Sequence, residues 1–445
     1  MQLDSTIGIL GFGVEGESTF RHLVREGAKS IVILDKRNVT LSEIPNGVSV
    51  KVSSGEGYLD ALKDCSTVVR SAGVYPMLPE LLKFQMDGGN LTSQAEIFFE
   101  NFKGITIGVT GTLGKGSCVS MIRHILDAAK IPCKLGGNFG VPMLDLLAQN
   151  TDAFIAILEL SSFQLMTLGS SPRVGVVLRV STEHLDWHKG VEEYRDAKAN
   201  LVRWQRRSDA CIFMNDSEPS RRIAECSQAQ KFSFGHAEGS NAKISEAELS
   251  IGSETLRLSA CKIRGSYQLE NMAAAALATR ALGVSVRDAF EALKTYEALP
   301  LRMEFRGEIS GIEFYNDSYA TRPDATIAAV KSMKRPFSLI LGGSEKNADF
   351  TEMFSEIAGL DKLRKIEFIG ATACRMKECA EAVGVTVPMK IFPNLGEAFD
   401  SAVEIGAGGS VLLSPACASF GLFKNYKERG ASFNKLIEDF QAKNV

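Results

Sequence analysis

Twice in its N-terminal third the chain runs from an apolar strand through a glycine-rich turn into a helix. It does so first in "IGILGFGVEGESTFRHLVREG" and again in "GITIGVTGTLGKGSCVSMIRHILDAAK". In the first unit Gly11, Gly13 and Gly16 allow a tight turn and the close approach of a phosphate to a helix N-terminus, and a second strand then ends at Asp35. Asp35 stands where dinucleotide folds place the acid that meets a ribose hydroxyl, so a nicotinamide site is one reading of this unit and a bare strand-to-helix turn is another. In the second unit Val119, Ile122, Ile125 and Leu126 recur at helical spacing behind the loop. Gly111, Thr112, Gly114, Lys115, Gly116 and Ser117 make up a loop of the kind whose backbone N–H groups cradle phosphates while its lysine reaches the terminal ones. Gly116 stands where such loops usually carry the hydroxyl that meets magnesium, and Ser117 follows it.

Beyond the loop, "AFIAILE" reads as a strand that delivers Glu159 to its carboxyl end, and "VGVVLRV" as one that leads to His184. Ligands of open α/β sheets gather at the carboxyl ends of strands, so Lys115, Glu159 and His184 are expected to converge there. An acid at a buried strand end suits a hard cation such as magnesium. Taken from its pattern alone, Lys198 in "YRDAKANLV" reads as an exposed helical lysine. Further strands in "FYNDS", "FSLILGG", "IEFIG" and "SVLLSPA", alternating with helices such as "DATIAAVKSM", predict a third α/β unit with a mostly parallel sheet.

Length and composition bound the rest. A chain of 445 residues exceeds one ordinary core, and three domains are expected, with limits near 1–99, 100–297 and 298–445. Fifty basic against 53 acidic residues leave a formal charge of -3, which advertises neither nucleic acid nor an anionic membrane as a partner. The nine cysteines are dispersed, with no CxxC pair, which fits free thiols in a reducing compartment. With no basic, apolar leader and no apolar run long enough to span a bilayer, the expectation is a cytoplasmic protein.

The ordered set "GVTGTLGKGS", "ELSSFQL", "STEHLDWH", "YRDAK", "YQLENMAAA", "LPLRMEF", "YNDSYAT", "GGSEKNADF" and "LLSPACASFGLFKNYKERGASF" resembles the Mur ligases of peptidoglycan synthesis over nearly the whole chain. The resemblance implies three domains: an N-terminal Rossmann-like domain for a UDP-sugar, a central P-loop ATPase-like domain and a C-terminal Rossmann-like domain for the amino acid. It implies a monomer that uses ATP and Mg2+ to form an amide through an acyl phosphate. "SPACAS" followed by "RGASF" points to UDP-N-acetylmuramoyl-L-alanine and D-glutamate as the substrates. On this resemblance Gly13, Asp35, Arg37 and Asn138 hold the sugar nucleotide, and Lys115 binds the ATP phosphates. Glu159, His184 and a carbamylated Lys198 bind the metal. Asn271, Arg302 and Asp317 belong to the nucleotide site, and Lys346, Ser419 and Tyr426 to the amino-acid site. Departures from the family pattern fall at Leu113, Gly116, Arg179, Leu301, Tyr319 and Gly421. A ligase that takes L-glutamate or another acidic amino acid, and a silent paralogue that only binds the sugar nucleotide, are the alternatives these departures leave open.

Overall fold

Three β-sheets, each flanked by helices, carry the chain in a computed structural model that describes residues 2–444 apart from 42, 150, 152, 182, 185, 186, 264, 346 and 347. The first sheet contains β1 (Thr6–Leu10), β2 (Ser30–Asp35), β3 (Ser49–Ser54), β4 (Thr67–Arg70) and β5 (Asn90–Ser93) in the order β3-β2-β1-β4-β5, and every pairing is parallel. The first glycine turn connects β1 to the helix Val14–Arg25. Gly11 has φ +89°, and a Cβ on Gly16 would overlap the Gly11 carbonyl oxygen, so both positions require glycine if helix and turn are to pack this closely. Glu15 and Glu17 lie in the first turn of that helix and Arg25 in the last, an arrangement that complements the helix dipole.

The second sheet is built from β6 (Ile105–Thr110), β7 (Cys133–Gly137), β8 (Ile155–Glu159), β9 (Val174–Val177), β10 (Ala210–Met214), β11 (Gln230–Gly235), β12 (Ala242–Ile244), β13 (Glu248–Ile251) and β14 (Glu254–Arg257). Their order is β14-β13-β12-β11-β10-β9-β6-β8-β7. The strands from β6 to β12 pair in parallel, and the last two close an antiparallel edge that the alternation of "AELSIGSETLRL" carries around the turn at Gly252, φ +61°. The helix Lys115–Ala128 buries Val119, Ile122, Ile125 and Leu126, as their spacing predicts. One apolar cluster runs from Ile7 and Ile9 of the first sheet to Leu158 and Val177 of the second, so the two sheets share a core. Polar ties reinforce it: Ser18 Oγ and Arg21 donate to Asp145, each at 2.9 Å, and Tyr75 donates to Glu193 at 2.7 Å. The first two sheets accordingly form one compact unit, Met1–Ala260 with Leu269–Thr295.

The second compact unit comprises Cys261–Gln268 and Tyr296–Val445. Its sheet has β15 (Glu304–Ile309), β16 (Ile312–Asn316), β17 (Phe337–Gly342), β18 (Leu363–Ile369), β19 (Met389–Phe392) and β20 (Ser410–Leu413) in the order β15-β16-β20-β17-β18-β19. All but the β15–β16 hairpin pair in parallel, and apolar clusters cover both faces. The strands expected in "FYNDS", "FSLILGG", "IEFIG" and "SVLLSPA" are β16, β17, β18 and β20, and "DATIAAVKSM" forms the helix Pro323–Ser332 up to its C-cap Met333. Among the described residues no helix is long and apolar enough to cross a membrane.

Candidate functional site

Glycine geometry creates the central site. β6 pairs with β8 and β9, with Val109 opposite Glu159 and Thr110 opposite Val177, so the loop that leaves β6 and the carboxylate that ends β8 emerge at the same sheet edge. Gly111 has φ +151° and Gly114 is left-handed at φ +82°, where it caps the helix Lys115–Ala128. These conformations turn the loop back on itself and leave the helix N-terminus as an anion-favouring end. Thr112 anchors the loop, accepting from the Ser181 amide at 2.9 Å and contacting the Tyr194 hydroxyl at 3.1 Å. A Cβ on Gly114 would drive into Asn271 Oδ1, so Asn271 packs directly on the loop. Gly116 and Ser117 are buried in the first turn of the helix.

Two lysines meet on this loop. Lys115 donates to the carbonyls of Gly111 at 3.0 Å and Thr112 at 2.9 Å. Lys198 donates to the same Gly111 carbonyl at 3.0 Å and to Thr110 Oγ1 at 3.3 Å, with its ammonium over the Tyr194 ring at 4.7 Å. The reading of Lys198 as an exposed helical lysine is corrected here: its residue is 2% exposed. "YRDAKANLV" forms the helix Val191–Arg203, whose inward stripe contains Tyr194, Ala197, Lys198 and Leu201, and a single lysine cannot reveal which stripe it occupies. Burial holds the Lys198 amine well below its ordinary range; the neighbouring Lys115 charge pushes the same way and Glu159 opposes both. Glu159 is 3% exposed, and Asn138 Nδ2 donates to its Oε1 at 2.8 Å.

Lys115, Glu159 and Lys198 therefore share one electrostatic neighbourhood, with Asn138 and Asn271 at its border. His184 is reached by a different route. It has φ +57°, lies 3.5 Å from Glu183, and meets Phe163 at a tilt with ring centroids 4.8 Å apart. Its link to the lysines is Tyr194, whose ring lies 6.4 Å from the His184 ring and also receives Lys198. The donor chemistry here, a buried carboxylate, an imidazole and a lysine that gains oxygens only when carbamylated, fits a hard cation. Among the described residues no group of three or more acidic, histidine or cysteine side chains could by itself hold a metal ion.

In the same unit a cleft of about 400 Å³ opens beside the first glycine turn, with Gly13, Asp35, Arg37, Tyr58 and Gly73 among its lining. Asp35 is 5% exposed and accepts from the amides of Phe12 at 2.6 Å and Arg37 at 2.8 Å, while the Arg37 side chain clamps both its oxygens at 3.2 Å. Burial pushes the Asp35 carboxyl up, but the Arg37 and Phe12 hydrogen bonds outweigh it and hold the group below the usual carboxylate range. Sequence reasoning missed Arg70 beneath this cleft. It is 1% exposed and donates to the carbonyls of Ser71, Ala72 and Val74, fixing the loop that forms one wall. An arginine ending the apolar strand "TVVR" is the signal that could have found it.

In the second unit Arg302, Asp317, Ser419 and Tyr426 lie around the carboxyl ends of β16 and β20. The Arg302 guanidinium sits 3.5 Å from the centroid of Tyr319, which meets Tyr426 edge-on at 4.9 Å. Tyr319 thus gives Arg302 an aromatic face. Leu301, another departure, packs against Gly430. Asp317 accepts from Ser414 Oγ at 2.8 Å and the Met303 amide at 3.0 Å, yet burial pushes its carboxyl up to about 7 against those bonds and against Arg302 and Arg429. Arg429, fully buried, holds Ser318 through its side-chain and main-chain oxygens. Ser419 is 3% exposed, and Tyr426 begins the helix Tyr426–Lys443. Lys346 lies outside the described residues.

Residues 109–279 match the family described as Mur ligase middle domain, and residues 301–417 match Mur ligase, glutamate ligase domain. The chain is 34% identical over 456 residues to the UDP-N-acetylmuramoylalanine--D-glutamate ligase of Acetivibrio thermocellus, spanning 98% of this chain and 97% of that protein. It is 32% identical to the enzyme of the same name from Clostridium kluyveri, with 97% and 96% spanned. Among solved structures the fold is similar to MurF from Acinetobacter baumannii, TM-score 0.64 at 18% identity over 99% of this chain and 92% of that one. It is also similar to the MurF ligase of Thermotoga maritima in complex with ADP, TM-score 0.63 at 18% identity over 98% and 96%.

Two outcomes follow from these environments. Gly114→Ala puts a side chain at positive φ and into Asn271, and should cost about 1–3 kcal/mol, read as a lower denaturant midpoint that Gly114→Ala with Asn271→Ala partly recovers. An unchanged midpoint would mean that the loop does not need its left-handed glycine. Asp317 binds its proton more tightly folded than unfolded, so it contributes stability that is lost as pH rises from about 4 through about 7. The thermal midpoint of the wild type should fall over that window more steeply than that of Asp317→Asn, and parallel profiles would show that Asp317 does not titrate there.

Proposed function

The chain belongs to the Mur ligase family, and from that premise we propose that it joins D-glutamate to UDP-N-acetylmuramoyl-L-alanine with ATP, as a monomer in the cytoplasmic synthesis of the peptidoglycan precursor. The observation that carries the reading is the meeting of Lys115 and buried Lys198 on one glycine loop, with buried Glu159 acting on Lys198. We take residues 1–99, 100–297 and 298–445 as the divisions that serve the sugar nucleotide, ATP and the amino acid.

A carboxylate is a poor acyl donor, so ATP first phosphorylates the alanyl carboxylate, and the glutamate amine then displaces phosphate through a tetrahedral intermediate. Transfer of the phosphoryl group needs mainly positioning and charge neutralisation. Lys115 meets that need by exchanging two neutral carbonyls for phosphate oxygens, and Gly111, Thr112, Gly114, Gly116 and Ser117 offer the phosphates backbone and hydroxyl donors. A magnesium ion held by Glu159, His184 and a carbamylated Lys198 would neutralise charge on the transferring group. The burial of Lys198 favours that modification, since the neutral amine is the form that adds carbon dioxide to give a carbamate and a proton. Asn271, Arg302 and Asp317 complete the ATP site in this reading. The cleft at Gly13, Asp35 and Arg37 takes the uridine diphosphate, with Asn138 on the sugar side. Lys346, Ser419 and Tyr426 grip the amino-acid carboxylates by charge and hydrogen bonding.

ADP release is expected with the muramoyl-alanine nucleotide and D-glutamate together, and far more slowly with L-glutamate; equal turnover of the two would assign the L-glutamate alternative instead. Lys198→Ala should lower turnover by about hundredfold or more, with partial return on adding a short carboxylic acid. Full activity in that variant would remove Lys198 from the chemistry.

A further inference from the structure

Glu15 is the feature of the cleft that neither the resemblance nor the proposed mechanism uses. It lies in the first turn of the helix Val14–Arg25 and lines the cleft. Each of its carboxylate oxygens serves a different part of the chain. Oε2 accepts from the Ala72 amide at 2.8 Å, in the wall that Arg70 supports from beneath, and Oε1 accepts from Gln164 Nε2 at 2.8 Å. Gln164 in turn uses its own Oε1 to accept from the Ser161 amide at 3.1 Å, which closes the capping box of the helix Ser162–Leu165 immediately after Glu159. A continuous line of hydrogen bonds thus runs from the cleft wall through one carboxylate to the chain that leaves the strand end bearing Glu159.

Resting on the reading of this cleft as the sugar-nucleotide site, we propose that Glu15 is a positioning residue that fixes the Ala72 wall for the nucleotide and ties it to the Ser161–Gln164 turn. The chemistry demands an acid at this position. Only a carboxylate offers two acceptor oxygens at this reach, since a glutamine in its place has one acceptor and turns an amide donor toward either Ala72 or Gln164. Both bonds are charge-assisted, so their joint loss is felt wherever the wall must be held against a ligand.

The test uses the full-length enzyme and plain UDP as the probe of the cleft, by calorimetry, with steady-state kinetics alongside. Glu15→Ala should weaken UDP binding about tenfold and raise KM for the sugar nucleotide by a similar factor, with KM for ATP unchanged. Glu15→Gln, which preserves volume and one acceptor, should fall between wild type and Glu15→Ala. In a double-mutant cycle Glu15→Ala and Gln164→Ala should cost less together than the sum of the single changes. UDP affinity within twofold of wild type in both Glu15 variants, or strictly additive costs in the cycle, would overturn the inference. Failure of the wild type itself to bind UDP would instead overturn the reading of the cleft, and the inference with it.

Discussion

The Gly111 carbonyl accepts from two lysine amines, Lys115 and Lys198, each at 3.0 Å, and much of the central site depends on that crowding. Two full positive charges so close together in a buried setting repel strongly, because the medium there screens them poorly. Burial and the Lys115 charge hold the Lys198 amine well below its ordinary range, with Glu159 opposing both. A loop lysine that donates to two neutral carbonyls gains when an anion arrives, whereas an amine held low deep in the fold is chemically readier for modification. The shape of Gly111 and Gly114 makes both possible, since neither the carbonyl direction nor the tight entry to the helix suits a residue with a side chain.

A second principle recurs in both compact units: buried arginines hold loop carbonyls and hydroxyls rather than carboxylates. Arg70 fixes the 71–74 wall and Arg429 fixes Ser318. Burial lowers each guanidinium to about 10, which leaves it charged at neutral pH and able to polarise the groups it binds. Such an arginine gives a loop the rigidity that glycine-rich sequence alone withholds, so a site on a loop keeps its geometry. The contact of Arg302 with the Tyr319 ring, itself met edge-on by Tyr426, holds a cation against an aromatic face in the second unit.

The sequence by itself determined the alternation of strands and helices, the two glycine turns and the placement of Lys115 and Glu159 at one sheet edge. These follow from short-range rules: the period of apolar residues, and glycine where only glycine can turn. It also carried the ordered motifs through which family membership is legible. Only the tertiary structure decided that Lys198 faces inward, because a lone lysine on an amphipathic helix has no signature of the stripe it occupies until neighbours 80 or more residues away, Thr110 and Gly111, meet it. The bridge made by Glu15 between Ala72 and Gln164 was likewise set by long-range contacts. Side-chain partners are chosen by the packing of distant segments, and no local pattern in the sequence records that choice.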